Sequence, residues 1–105
     1  MKLKLIKKIE ILAATFSISY NTEHDGGHFS MATSSIEIGI KQLDKDALYV
    51  FSTISHEVME VIFCMMSMRY DNGRLDGNYL FNFNHQQFEN AIQLHAQAMI
   101  KFLNQ

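Results

Sequence analysis

Apolar and polar positions alternate with two periods along this chain, and the switches between them mark its elements. Over residues 2–14, Leu5, Ile6, Ile9, Leu12 and Ala13 fall on one helical stripe, with Lys7, Lys8 and Glu10 outside it. That spacing predicts a short N-terminal amphipathic helix. Residues 2–6 also alternate, so a strand competes there. Residues 16–20 alternate with period two and predict a strand, and Asn21 to Gly27 form a turn cluster rich in Asn, Asp and Gly. A second strand is expected over 28–32. Residues 35–41 alternate most cleanly, with Ile36, Ile38 and Ile40 on one face.

A long apolar stretch follows, from Leu48 to Met68. Asp44 or Asp46 can cap a helix there, because a carboxylate accepts from the free N–H groups of the first turn. The helix is expected to run to about Arg69 and to end in the turn chemistry of Asp71, Asn72 and Gly73. Residues 70–84 connect, with a short strand fitting at 79–83. Asn84 caps a last helix over 85–103, whose buried stripe is expected to be Phe88, Ile92, Met99 and Leu103. The predicted fold class is α+β. A small, mostly antiparallel three-stranded sheet packs against an N-terminal helix, a long central helix and a C-terminal helix.

Composition narrows the classes. The chain has 105 residues, enough for one domain with a real core, and is 48% hydrophobic, which argues against disorder. A net charge of -2 offers no basic footprint for nucleic acid. The single cysteine, Cys64, excludes an intrachain disulfide and fits a reducing compartment. The basic start is interrupted by Lys and Glu before a signal peptide could form, and residues 58–66 are too short to span a bilayer. A soluble cytoplasmic protein with no membrane partner is expected.

Chemistry concentrates at His56-Glu57-Val58-Met59-Glu60, inside the long helix. A helix turns about 100° per residue, so His56 and Glu60 share a face one turn apart and can hold one metal ion. Catalytic zinc usually takes three protein ligands and a water. Glu57 is placed to act as the general base toward that water. The third ligand must come from elsewhere. His85, at the start of the last helix, is the first candidate, expected to face the core and to complete a two-His, one-carboxylate set. His95 is the second, and Asp76 and Glu89 follow.

The strand pattern around Ile36, Ile38 and Ile40 leading into the helix with His56-Glu57 resembles minimal zincin-type zinc metallopeptidases encoded by phages and mobile elements, near the ImmA/IrrE group. The resemblance covers residues 14–68 and departs at residue 60, where the family carries His and this chain Glu. It implies His56 as a zinc ligand, Glu57 as the base, peptide-bond hydrolysis in a protein or peptide substrate, and residues 35–41 as the edge that holds the substrate in extended form.

Other assignments compete. The same fold without activity would be a protein-binding module, a phage regulatory or accessory protein, and a homodimer is left open. A carboxylate-bridged di-metal protein would use His56/Glu60 and His85/Glu89. His24, Asp25 and His28 offer ligands on a glycine loop that a plain turn explains equally well. Cys64 reads as a buried thiol, Met59, Met65, Met66 and Met68 as adaptable core filler, and Tyr70 and Tyr79 as surface residues or hydrogen-bond donors to an oxyanion.

Overall fold

The computed structural model describes residues 1–71 and 78–103. The chain is α+β, but its sheet has four strands and is mixed: β1 (Lys8–Ile11), β2 (Ala14–Asn21), β3 (Gly27–Ser30) and β4 (Ser35–Gly39), in the order β1-β2-β4-β3. β1 and β2 form an antiparallel hairpin, β4 runs parallel to β2, and β3 pairs antiparallel with β4. Then come α1 (Ala47–Met65), a two-stranded ladder of β5 (Arg69–Asp71) and β6 (Tyr79–Phe81), α2 (His85–Met99) and a 3-10 turn, Ile100–Phe102.

The expected N-terminal helix is absent. Ile9 and Ile11 also satisfy period two, and both are buried at 3% exposure while Lys8 and Glu10 face out. Pairing with β2 satisfies the backbone and suits β-branched side chains, so the sheet wins over the weaker helical stripe. Leu12 and Ala13 form the hairpin turn with positive φ. Residues 1–7 are not a strand either. Leu3 makes a single bridge to Leu103, Lys4 N–H donates to the Phe102 carbonyl, and the Tyr20 hydroxyl donates to the Ile6 carbonyl. Burial pushes the Tyr20 pKa up to about 12.

The expected run of hairpins gives way to an insertion. β4 carries Ile36 and Ile38, exposed 2% and 0%, and takes the inner place; the more polar β3 takes the edge. The turn after β2 folds directly over Gly39, where a Cβ would stand 2.4 Å from the His24 carbonyl oxygen. Only glycine fits that crossing.

α1 covers the sheet. Asp46, not Asp44, is its N-cap and accepts from Tyr49 N–H. Val50, Ile54, Glu57, Val58, Val61 and Ile62 make its buried stripe. By length and composition α1 could cross a membrane, with a mean hydropathy of 1.3 over 19 residues; here it is the core helix. It stops at Met65, short of the expected end. Ser67 takes a positive φ, Ser67 N–H donates to Cys64 and Met68 N–H to Phe63, and Met68 is fully buried. This is a Schellman closure with serine in the usual glycine place. The turn expected at Asn72 and Gly73 lies outside the described residues.

Asn84 caps α2 through a reciprocal box with Gln87. The buried face is Ala91, Ala98 and Met99, continued by Phe102, whereas Phe88 and Ile92 are 40% and 44% exposed. Of the expected stripe Met99 is buried, but Phe88 and Ile92 are not, because α1 and α2 approach through small alanines. Phe88 instead stacks on Phe83, which in turn stacks on Phe63. Across the helix pair, Ser55 Oγ and His95 Nε2 lie 2.9 Å apart.

Two outcomes test this account. Ser67→Gly relieves the left-handed backbone at the end of α1 and is expected to stabilise the protein by up to about 1 kcal/mol in denaturant titrations. Burial holds the His95 pKa below its ordinary 6.5, so the unfolded chain takes up this proton first. His95 therefore contributes stability in full above that value and loses it as pH falls through the window below. Melting curves from pH 7.5 to 5 are expected to show this slope in the wild type and a shallower one in His95→Gln.

Candidate metal centre

Helical spacing places Glu57 on the buried stripe of α1, between Ile54 and Val61, and His56 and Glu60 on its rim. The three side chains nevertheless converge. His56 Nε2 lies 3.3 Å from Glu60 Oε2 and 3.9 Å from Glu57 Oε2. One ligand-type atom from each of the three lies within 4.8 Å of the others, the only such group of His, Cys, Asp and Glu among the described residues. Side-chain exposure falls from 67% at His56 through 22% at Glu60 to 7% at Glu57.

β3 closes over this group. A Cβ on Gly27 would stand 3.0 Å from Glu57 Cγ and 2.9 Å from the Glu37 carbonyl oxygen. Glycine lets the edge strand lie against α1 and remove Glu57 from water. That burial raises the Glu57 carboxyl above its usual range, and the Glu60 charge adds to the effect; His56, His28 and Arg69 oppose it. His28 Nε2, next on β3, lies 3.1 Å from Glu37 Oε2.

Arg69, on β5, closes the other side. Its Nε lies 3.8 Å from Glu60 Oε1, and its Nη1 donates to Cys64 Sγ at 3.2 Å. The guanidinium lies 3.6 Å from the Tyr79 ring centroid and 5.1 Å from that of Phe29.

Two open cavities of about 380 Å³ each meet at Gly27, His56 and Glu57. One is lined by Tyr49, Ser52 and Thr53, the other by His28, Phe29, Glu60, Arg69 and Tyr79. Together they form a groove along β3 with the three converging side chains at its centre.

The donor set fits a divalent ion in part. Zinc–ligand bonds of about 2.0–2.1 Å at tetrahedral angles put neighbouring donor atoms about 3.3 Å apart, the spacing of His56 Nε2 and Glu60 Oε2. An imidazole and a carboxylate suit zinc or manganese. Glu57 stands close enough to reach a water at such an ion.

The expected third ligand does not join them. His85 is 84% exposed and pairs with Glu89 at 3.5 Å; it begins α2 on the solvent side, because the core face of that helix is the alanine face. The His85/Glu89 pair is likewise separate from His56/Glu60, which removes the bridging arrangement a di-metal centre needs. His95 is engaged with Ser55, and Asp76 lies outside the described residues. His24, Asp25 and His28 line, with Glu37, a cavity of about 400 Å³ that adjoins the groove at Gly27, and they form no close ligand group among the described residues.

The strand expected to be an open edge is not one. β4 is hydrogen-bonded on both sides, with Ile36 and Ile38 in the core and Ile40 half-buried beside it, so the edge next to the site is β3. Gly27, Phe29 and Arg69 escape a reading from sequence, and His28 is placed there on a glycine loop of its own, because strand pairing and not local pattern brings them to the site. The helical phase of residues 50, 54, 57 and 61, by contrast, marks Glu57 as buried. No protein family, curated protein or solved structure matches this chain.

Proposed function

We propose that the chain is a small metal-dependent hydrolase of the zincin type, acting on a peptide bond of an extended polypeptide lying along β3. The observation that carries this is the convergence of His56, Glu57 and Glu60 within 4.8 Å at the centre of an open groove. His56 and Glu60 are the metal-holding residues, with zinc the ion their chemistry favours. When bound, the ion supplies Lewis acidity to a water and to the carbonyl under attack.

The remaining roles belong to the chain itself. Glu57 takes the proton of the attacking water, and its raised pKa suits it to hold that proton and pass it to the departing amine. As the edge strand, β3 offers an extended substrate a strand to pair with, and Gly27 lets its backbone lie against Glu57. Glu60 stands where the resembled family has histidine, and no further His, Cys, Asp or Glu joins the close group among the described residues, so water and substrate would complete the coordination of a bound ion. A phage or mobile-element origin and work in the host cytoplasm are part of the same proposal.

A second reading has its own support. Leu80, Phe81, Phe83, Phe88 and Ile92 are all exposed, as a protein-binding module without catalytic activity would have them.

Titration with Zn2+ and Mn2+ separates the two. Binding near one equivalent is expected, weakened in His56→Ala and Glu60→Ala by more than the 10–100-fold that a supporting residue typically costs, and unchanged in His85→Ala. Glu57→Gln is expected to keep the metal and lose about 10²–10⁴-fold in cleavage of an unstructured protein substrate. Wild-type protein that binds the metal but cuts no better than Glu57→Gln would leave the binding module standing.

A further inference from the structure

The proposed reaction gives the Arg69 guanidinium no role, although it stands beside Glu60 at the centre. It is nearly buried, at 12% side-chain exposure, yet it makes no close bond to the acid beside it. Its Nε is buried and has no hydrogen-bond partner among the described residues, with Glu60 Oε1 3.8 Å away. Three other groups hold it in place: Cys64 Sγ, the Tyr79 ring and the Phe29 ring. It is therefore fixed by its surroundings and stays charged at every pH the fold survives.

Resting on the metal reading, we infer that Arg69 is a built-in counter-cation that sets the metal threshold of the centre. Two carboxylates within 4.8 Å of each other repel unless a cation stands near. Arg69 supplies that cation when no metal is bound. The same charge then opposes an incoming divalent ion, and it does so for every divalent ion alike. An ion that relies on carboxylate charge alone, such as Ca2+, falls below useful affinity, whereas one that also bonds well to the His56 imidazole stays above it. Arg69 is thus a positioning and specificity-determining residue; it touches no reacting atom.

This role predicts two effects of opposite sign. Replacing Arg69 by a neutral residue weakens the metal-free fold and strengthens metal binding. At the separation set by the Glu60 contact, removing one unit charge opposite a divalent ion is worth about tenfold in affinity even at the dielectric of water. A merely structural arginine would lower both quantities together.

The test is calorimetric titration of Zn2+, Mn2+ and Ca2+ into wild type, Arg69→Met, Arg69→Gln and Arg69→Lys, with melting curves of each metal-free protein. Arg69→Met is expected to melt lower than wild type, to bind Zn2+ and Mn2+ about tenfold tighter or more, and to bring Ca2+ into the measurable range. Arg69→Lys keeps the charge and is expected to stay within about threefold of wild type. Arg69→Gln gives a second neutral variant should Arg69→Met not fold. Neutral variants that bind no tighter than a metal-binding wild type overturn the role of Arg69 alone. Absence of binding in all four proteins overturns the metal reading and this inference with it.

Discussion

The contact between Gly27 and Glu57 governs the rest of the centre. β3 can lie across α1 only because residue 27 has no side chain; a Cβ would stand 3.0 Å from Glu57 Cγ. That approach removes a carboxylate from water at a position where the helix otherwise buries Ile54, Val58 and Val61. A buried acid costs free energy unless it is neutral or paired. The fold meets this cost by raising the Glu57 pKa and by gathering His56, His28 and Arg69 around it. The same strand position makes one wall of the groove, so desolvation of the acid and the wall beside it come from a single backbone crossing.

Charge balance follows from that placement. Glu60 shares its two oxygens between His56 and Arg69, at 3.3 and 3.8 Å. His56 is the exposed member and the one free to meet a ligand from solvent. A gradient of burial along one helical turn thus separates the roles: an outer imidazole, a bridging carboxylate and an inner acid. The residues most open to water bind most readily, and the one most withdrawn has the perturbed proton affinity that acid–base work needs.

Much of this was legible in the sequence where local physics decides. Period-two alternation located β2 and β4, the caps at Asp46 and Asn84 are side chains satisfying free N–H groups, and the pairing of His56 with Glu60 is helix geometry. What stayed hidden depends on competition between distant segments. Ile9 and Ile11 fit two periods, and only the availability of β2 as a partner chooses the strand. β4 runs parallel to β2, so β3 becomes the edge, and no local pattern in residues 27–40 reveals that order. The face of α2 was misjudged because side-chain size was taken as the guide to burial, whereas close helix packing selected Ala91 and Ala98. His85 was misplaced for the same reason: its expected inward direction rested on the wrong face.

Placing the centre on the main core helix has a mechanical consequence. Val50, Ile54, Val58, Val61 and Ile62 pin α1 to the sheet and to α2, all at 1% exposure or less. The positions of His56, Glu57 and Glu60 relative to one another are therefore as rigid as the core itself. The opposite wall is lighter. β5 and β6 form a ladder of three residue pairs, held to the site by Arg69 between two aromatic rings and by Phe81 against Phe63. Few buried contacts and exposed Tyr79, Leu80 and Phe81 put this ladder at the low-stability end of the structure. Any adjustment of the groove thus falls on the ladder and on Arg69, while the backbone of α1 stays fixed. A charge brought to Glu60 by a bound ion would reach the ladder through Arg69.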